Sequence, residues 1–212
     1  MLKRYLKPHL FSNKPLIRFL VGFLCILGIL SIVFIRVGDW LTPADEPPGR
    51  LDLVVTFAGD SRRVEYSREL MSRYPEAHWL LSDYKNGHGR ILQKKNYDMS
   101  RVSVVDTCKN TRSEVQAIAV WLEAYRPSGT ATGTGPFTVG LVSSPYHMRR
   151  IDIMAHRILS GKNIHCVLLP VPLKKYHWEE KTFRYWWRDN FVKTVTLLEI
   201  LKIGYFLLTG YF

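Results

Sequence analysis

The stretch Ser143-Ser144-Pro145-Tyr146-His147-Met148-Arg149-Arg150 sets two hydroxyls, an imidazole and a guanidinium at the end of an apolar run. Ser144 suits a helix N-cap and Pro145 the first helical position, which puts His147 in the first turn of a helix. Unpaired backbone N–H groups and the helix dipole favour an anion there. Arg150 lies one turn beyond His147 on the same face. An imidazole near a helix start is pushed toward its neutral form, so His147 is the first candidate for a general acid or base. Ser143, one residue ahead of the expected cap, and Tyr146 are candidates to touch the ligand.

Two further segments pair the end of a strand with the start of a helix. Gly59-Asp60 with Arg63 follows the first apolar run, and Asn110-Thr111 with Glu114 follows the third. Gly59 and Asp60 fit either a tight turn with a cap or a ligand-binding turn. Thr111-x-x-Glu114 fits a capping box. Asn110 fits an orienting donor or a residue that stabilises the turn, and Glu114 is the second candidate base. If the three segments meet, Arg63 and Arg150 would clamp an anion between helix starts. The chain holds no His-Glu-x-x-His, no Gly-x-Ser-x-Gly and no Gly-x-Gly-x-x-Gly, which removes the zincin, serine-hydrolase and dinucleotide-dehydrogenase readings. No metal-ligand spacing is present, and the cofactor is left unassigned.

The elements that must position these residues alternate. Periodicity predicts strands over 51–57, 77–82, 101–105, 137–143 and 164–171, and helices over 61–74, 111–125 and 145–159. Apolar strands alternating with helices imply an α/β fold: a Rossmann-like three-layer sandwich around a mostly parallel sheet. Ligands in such sheets sit outside the carboxyl ends of the strands, where strand order reverses. Residues 83–100 read as a long polar loop, and the Gly- and Thr-rich residues 128–135 as a surface insertion.

The full chain has 212 residues, 47% of them hydrophobic, and a formal net charge of +12. That length supports one sizeable core. The charge favours an anionic partner, and part of it is local: Lys3, Arg4, Lys7, Lys14 and Arg18 precede an apolar run from Leu16 to Ile35. The run has the ~20 residues that cross a bilayer and exceeds a usual signal-peptide core. The sequence therefore divides into a basic cytoplasmic tail (1–15), a transmembrane helix (16–36), a Pro-rich stiff spacer (37–50) and an α/β domain (51–212). Basic residues before the span and acidic ones after it predict a single-pass signal anchor with the domain extracytoplasmic. The final residues, 191–212, are apolar but carry Lys193, Glu199 and Lys202. They predict an amphipathic helix packed on the domain or lying on the membrane. Cys108 and Cys166 lack metal spacing and read as free thiols, with a disulfide as the alternative.

Taken together, these blocks resemble the bacterial SanA, ElyC and YdcF family, a domain of largely unknown function. The resemblance spans most of 51–212. It is carried by Phe57-Ala58-Gly59-Asp60 with Arg63, Ser67 and Leu70, by Asn110, Thr111 and Glu114, and most specifically by Ser144, Tyr146, His147, Met148 and Arg150. The chain departs from the family in a first turn reduced to Gly59-Asp60 and in Ser82-Asp83 where Ser-Gly is common. The acidic residue that often follows that pair has no counterpart in 83–100. The resemblance implies a membrane-anchored, Rossmann-like domain of the bacterial inner membrane, serving envelope integrity. Its expected partner is a membrane lipid or a lipid-linked phosphorylated polysaccharide or peptidoglycan precursor, with envelope-synthesis proteins alongside and no nucleic acid. Three functions follow: phosphoester or phosphoanhydride processing, non-catalytic sensing of a nucleotide-like or phospholipid ligand, or, with reversed topology, a cytoplasmic nucleotide-cofactor enzyme.

Overall fold

A computed structural model describes residues 14–83, 85, 87–125 and 136–210. The expected basic tail up to residue 13 and the insertion at 128–135 lie outside the described residues. Two compact units divide the chain at Val37 and Gly38.

The described residues of the first unit, from Lys14 to Val37, are helical. α1 runs from Lys14 to Leu41, and from Leu16 to Arg36 every described side chain is exposed. Among the described residues it is the one helix long and apolar enough to cross a membrane. An exposed apolar helix suits a lipid solvent, since its backbone polar groups are satisfied internally.

The second unit is a three-layer α/β/α sandwich. Its parallel strands are β1 (Leu53–Thr56), β2 (His78–Ser82), β3 (Val102–Val105), β4 (Phe137–Ser143) and β5 (Ile164–Pro170), in the order β3-β2-β1-β4-β5. Val55 of the central strand lies opposite Leu80 on one side and Leu141 on the other. Side chains alternate across β1 and so feed two cores. Leu53 and Val55 pack with Val115, Ile118 and Ile151 from α4 (Thr111–Tyr125) and α5 (Met148–Leu159). Val54 packs on the other face with Leu70, Met71 and Leu92 from α2 (Ser61–Arg73) and α3 (Gly87–Lys94). Each such Leu or Ile contributes about 2–3 kcal/mol by leaving water. A last helix, α6 (Asn190–Thr209), adds Phe206 to the α4 and α5 side.

The topology matches the expected three-layer fold and the cysteines stay free thiols, while two local readings change. Residues 83–100 contain α3, whose Gly89 N–H is capped by the buried Asp83 carboxylate at 2.8 Å. Gly87 and Gly89 weaken the helical pattern, and the tertiary cap restores it. The Pro-rich spacer does not stand free: Asp45 N donates to the Leu168 carbonyl at 2.9 Å, and Leu168 N donates to the Asp45 carboxylate at 2.7 Å. This segment therefore covers part of the open edge of β5, which an unpaired strand needs. Cys108 follows β3 at one sheet edge and Cys166 lies in β5 at the other, so both are free thiols.

Candidate functional site

Strand order reverses between β1 and β4, so the loops leaving these strands part toward opposite faces of the sheet. A cleft of about 500 Å³ opens there, lined by Phe57 and Ala58 after β1, Asn110, Thr111 and Glu114 around the start of α4, and Ser143, His147 and Arg150 from β4 and α5. The three sequence-distant blocks thus meet in one pocket. Arg63, Lys109, Cys108 and Ile151 complete its wall.

Ser144 stands where a cap belongs, ahead of a 3-10 turn at Pro145–His147, but its hydroxyl makes no capping bond. It accepts from Arg63 Nε at 3.0 Å and lies 2.8 Å from the Tyr176 hydroxyl. Two stronger partners outcompete the backbone N–H. The neighbouring Ser143 hydroxyl is fully buried and has no partner among the described residues. An unsatisfied buried hydroxyl on a cleft wall is ready for a ligand oxygen.

His147 is fixed by Arg150, whose Nη2 donates to His147 Nδ1 at 2.7 Å. A guanidinium has no acceptor, so Nδ1 carries the lone pair and the imidazole proton sits on Nε2. No described residue accepts from Nε2. The imidazole is held neutral, its pKa lowered to about 4, first by burial and then by Arg63 and Arg150, against the pull of Glu199. Burial, rather than the helix start, dominates. In this state His147 offers a hydrogen-bond donor and no free base at Nε2.

Arg150 does not stand ready to clamp an anion, as the spacing suggested. Its Nε donates to Glu199 Oε2 at 2.7 Å and its Nη1 to the Thr111 hydroxyl at 2.6 Å, so the guanidinium organises the wall. Glu199 comes from α6, is 1% exposed, and also accepts from Lys202 Nζ at 2.9 Å. Burial opposes its ionisation, but the neighbouring His147 and the hydrogen bonds from Arg150 and Lys202 outweigh burial and hold its pKa down at about 2. Sequence reasoning passed over Glu199. The sign that marked it is a lone carboxylate in an apolar helix, which demands a buried cationic partner.

Arg63 is also buried, bonded through Nη1 to the Phe57 and Ala58 carbonyls, but its Nη2 has no partner among the described residues. Gly59 makes that position possible: its φ is +129°, and its Cα faces the Arg63 guanidinium so closely that a Cβ would lie 3.2 Å from Nη1. Gly59 thus shapes the site from behind.

The capping box at Thr111 is not formed. Asn110 Oδ1 accepts from Ser113 N at 2.9 Å and caps α4, which frees both residues. Thr111 receives Arg150, and Glu114 Oε1 accepts from the Ala58 N–H at 2.6 Å across the cleft. Burial raises the Glu114 pKa, with the Ala58 N–H, Ser82 and the two arginines opposing. A buried carboxyl with a raised pKa suits proton transfer near neutral pH.

Asp60 and Tyr146 stand outside the cleft lining. Asp60 caps α2 through Arg62 N and pairs with the Arg62 guanidinium at 2.6 Å. Tyr146 packs its ring against His147, Trp178 and Phe191. Lys109, overlooked in the sequence, adds a cation to the wall. The described residues contain no group of three His, Cys, Asp or Glu placed to hold a metal ion.

Comparison with family models, with curated proteins and with solved structures finds no match to this chain.

Proposed function

We propose that this is a membrane-anchored protein whose β1/β4 cleft binds a phosphate or pyrophosphate group, and that the group belongs to a lipid-linked envelope precursor. The observation that carries the anion site is the meeting of Arg63 Nη2, Lys109, the unpartnered Ser143 hydroxyl and the His147 imidazole around one cleft at the order reversal. Four hydrogen-bond donors, two of them cations, suit an oxyanion with several acceptor oxygens. The apolar α1 supports a ligand met at a membrane. The envelope precursor itself, and the extracytoplasmic side, are supported by the family resemblance and the charge distribution around the apolar run.

In this reading the site acts on a phosphoester or phosphoanhydride. Glu114 takes a proton from the attacking water or hydroxyl, and His147 Nε2–H and Arg63 hold the charge that develops on the phosphoryl oxygens. The water's oxygen bonds to phosphorus as the bond to the leaving oxygen breaks, and the proton held by Glu114 passes to that leaving oxygen.

One observation favours a second reading, a sensor that binds without turnover. The Arg150 guanidinium is tied into Glu199, Thr111 and His147, which suits a rigid binding wall.

The test is the full chain in detergent with polyprenyl pyrophosphate, followed by phosphorus NMR and a phosphate-release assay. Phosphate release that disappears in Glu114→Gln supports the enzyme. Perturbed phosphorus resonances without product support the sensor. Resonances unmoved at saturating protein overturn the anion site.

A further inference from the structure

We propose that the face of the folded unit built around Gly38–Leu41 is a membrane-interface collar whose occupant is the phospholipid headgroup layer. The proposal rests on reading α1 as a membrane span. The apolar run ends at Ile35 and the helix continues without a break to Leu41. Trp40 therefore follows the end of that run by five positions, a rise of ~7–8 Å along a helix. The headgroup layer on each side of the hydrocarbon core is itself roughly 5–8 Å deep. Connectivity alone thus sets Trp40 at the depth where amphipathic aromatic side chains collect.

The folded unit surrounds that point with aromatic rings and arginines. Arg149 Nε donates to the Trp40 carbonyl at 2.9 Å, and its guanidinium lies 5.2 Å from the Trp40 ring. Arg184 Nε reaches Asp39 Oδ2 at 3.4 Å. Gly38 admits the 183–187 segment against the helix end, since a Cβ there would overlap the Phe183 carbonyl oxygen. On that segment Tyr185 packs against Trp187 at 5.8 Å, and the Arg188 guanidinium lies 4.7 Å from the Tyr185 ring.

The collar is exposed. Trp40 and Tyr185 are 43% and 37% accessible, and Arg184 and Arg188 are exposed beside them. Exposed aromatic rings clustered on one face, rather than scattered singly, mark a surface for an interaction partner. At a bilayer surface their apolar bodies leave water while the indole N–H and phenol stay wet, and guanidinium groups meet lipid phosphates. Asp39 and Asp152 offset part of the arginine charge, so the aromatic contribution carries the binding.

The test uses the full chain in phosphatidylglycerol and phosphatidylcholine vesicles, with and without lipids brominated close to the headgroup. Alkaline carbonate extraction reports first whether α1 spans. Release of the chain would overturn the span and the collar together. With the chain retained, bromolipid is expected to quench tryptophan emission, and Trp40→Phe with Trp187→Phe is expected to roughly halve that quenching. Trp121→Phe, on α4 in the core, serves as the control and leaves quenching unchanged. Quenching unaffected by the double variant, in a chain that resists extraction, would overturn the collar and leave the span standing.

Discussion

Glu199 Oε2 lies 2.7 Å from Arg150 Nε, and this contact ties the C-terminal helix to the residue that orients His147. The two charges are buried together, so each is the other's main compensation. Breaking one side of such a pair leaves a bare charge in the protein interior, which costs about 3–5 kcal/mol. Glu199→Leu alone and Arg150→Met alone are each expected to lower stability by that order. The double variant is expected to recover most of the loss, because an apolar pair of similar volume removes both desolvation costs. Thermal unfolding of the four chains gives the coupling directly. Additive losses would mean that the pair does not act as a unit.

The acid limb of stability follows from the same cluster. His147 has its pKa lowered from 6.5 to about 4, so between these values the unfolded chain takes up a proton that the folded chain refuses. Its contribution is therefore intact above pH 6.5 and is lost as pH falls toward 4, by at most about 3 kcal/mol. Glu199, lowered from 4.5 to about 2, continues the loss over the next interval. Unfolding measured from pH 8 to pH 3 should show a decline that begins above pH 5. His147→Gln should remove that early part and keep the later one.

Glu114 works in the other direction. Its raised pKa means that the carboxyl favours the protonated form when folded, so its stabilising contribution is present below its ordinary pKa and is lost as pH rises through the raised value. A glutamine keeps the acceptor for the Ala58 N–H without the charge. Glu114→Gln is therefore expected to fold as well as the parent at neutral pH, with a gain of up to about 1 kcal/mol, while phosphate release is abolished. A large loss of melting temperature in this variant would contradict the burial argument.

Gly59→Ala tests the support behind Arg63. At φ +129° an alanine is strained by about 1–3 kcal/mol, and its methyl group presses on the guanidinium. Melting temperature should fall, and binding of polyprenyl pyrophosphate should weaken by more than the stability loss explains, once the assay is run on fully folded protein. Binding equal to that of the parent would show that Arg63 Nη2 does not meet the ligand.

Much of the architecture was legible in the residues themselves. The apolar runs at 137–143 and 164–171 and the helical period at 111–125 carry their own structure, because burial on two faces leaves little choice of pattern. Alternation of strands and helices implied the parallel sheet. Short strand-to-helix junctions at 58–63, 106–111 and 143–147 then had to stand at its carboxyl edge, which is why the three blocks that share the cleft could be named in advance.

What only the tertiary structure decided is how each polar group spends its hydrogen bonds. Ser144, Thr111 and Glu114 have local capping partners within reach, and all three abandon them for residues far away in the chain. Arg150 turns from ligand clamp to scaffold because Glu199, 49 positions further on, folds against it. Local propensity is set by neighbours in sequence, so it marks where a strand ends and a helix begins. Burial brings charges together regardless of chain distance, and in a low-dielectric pocket the strongest available partner wins.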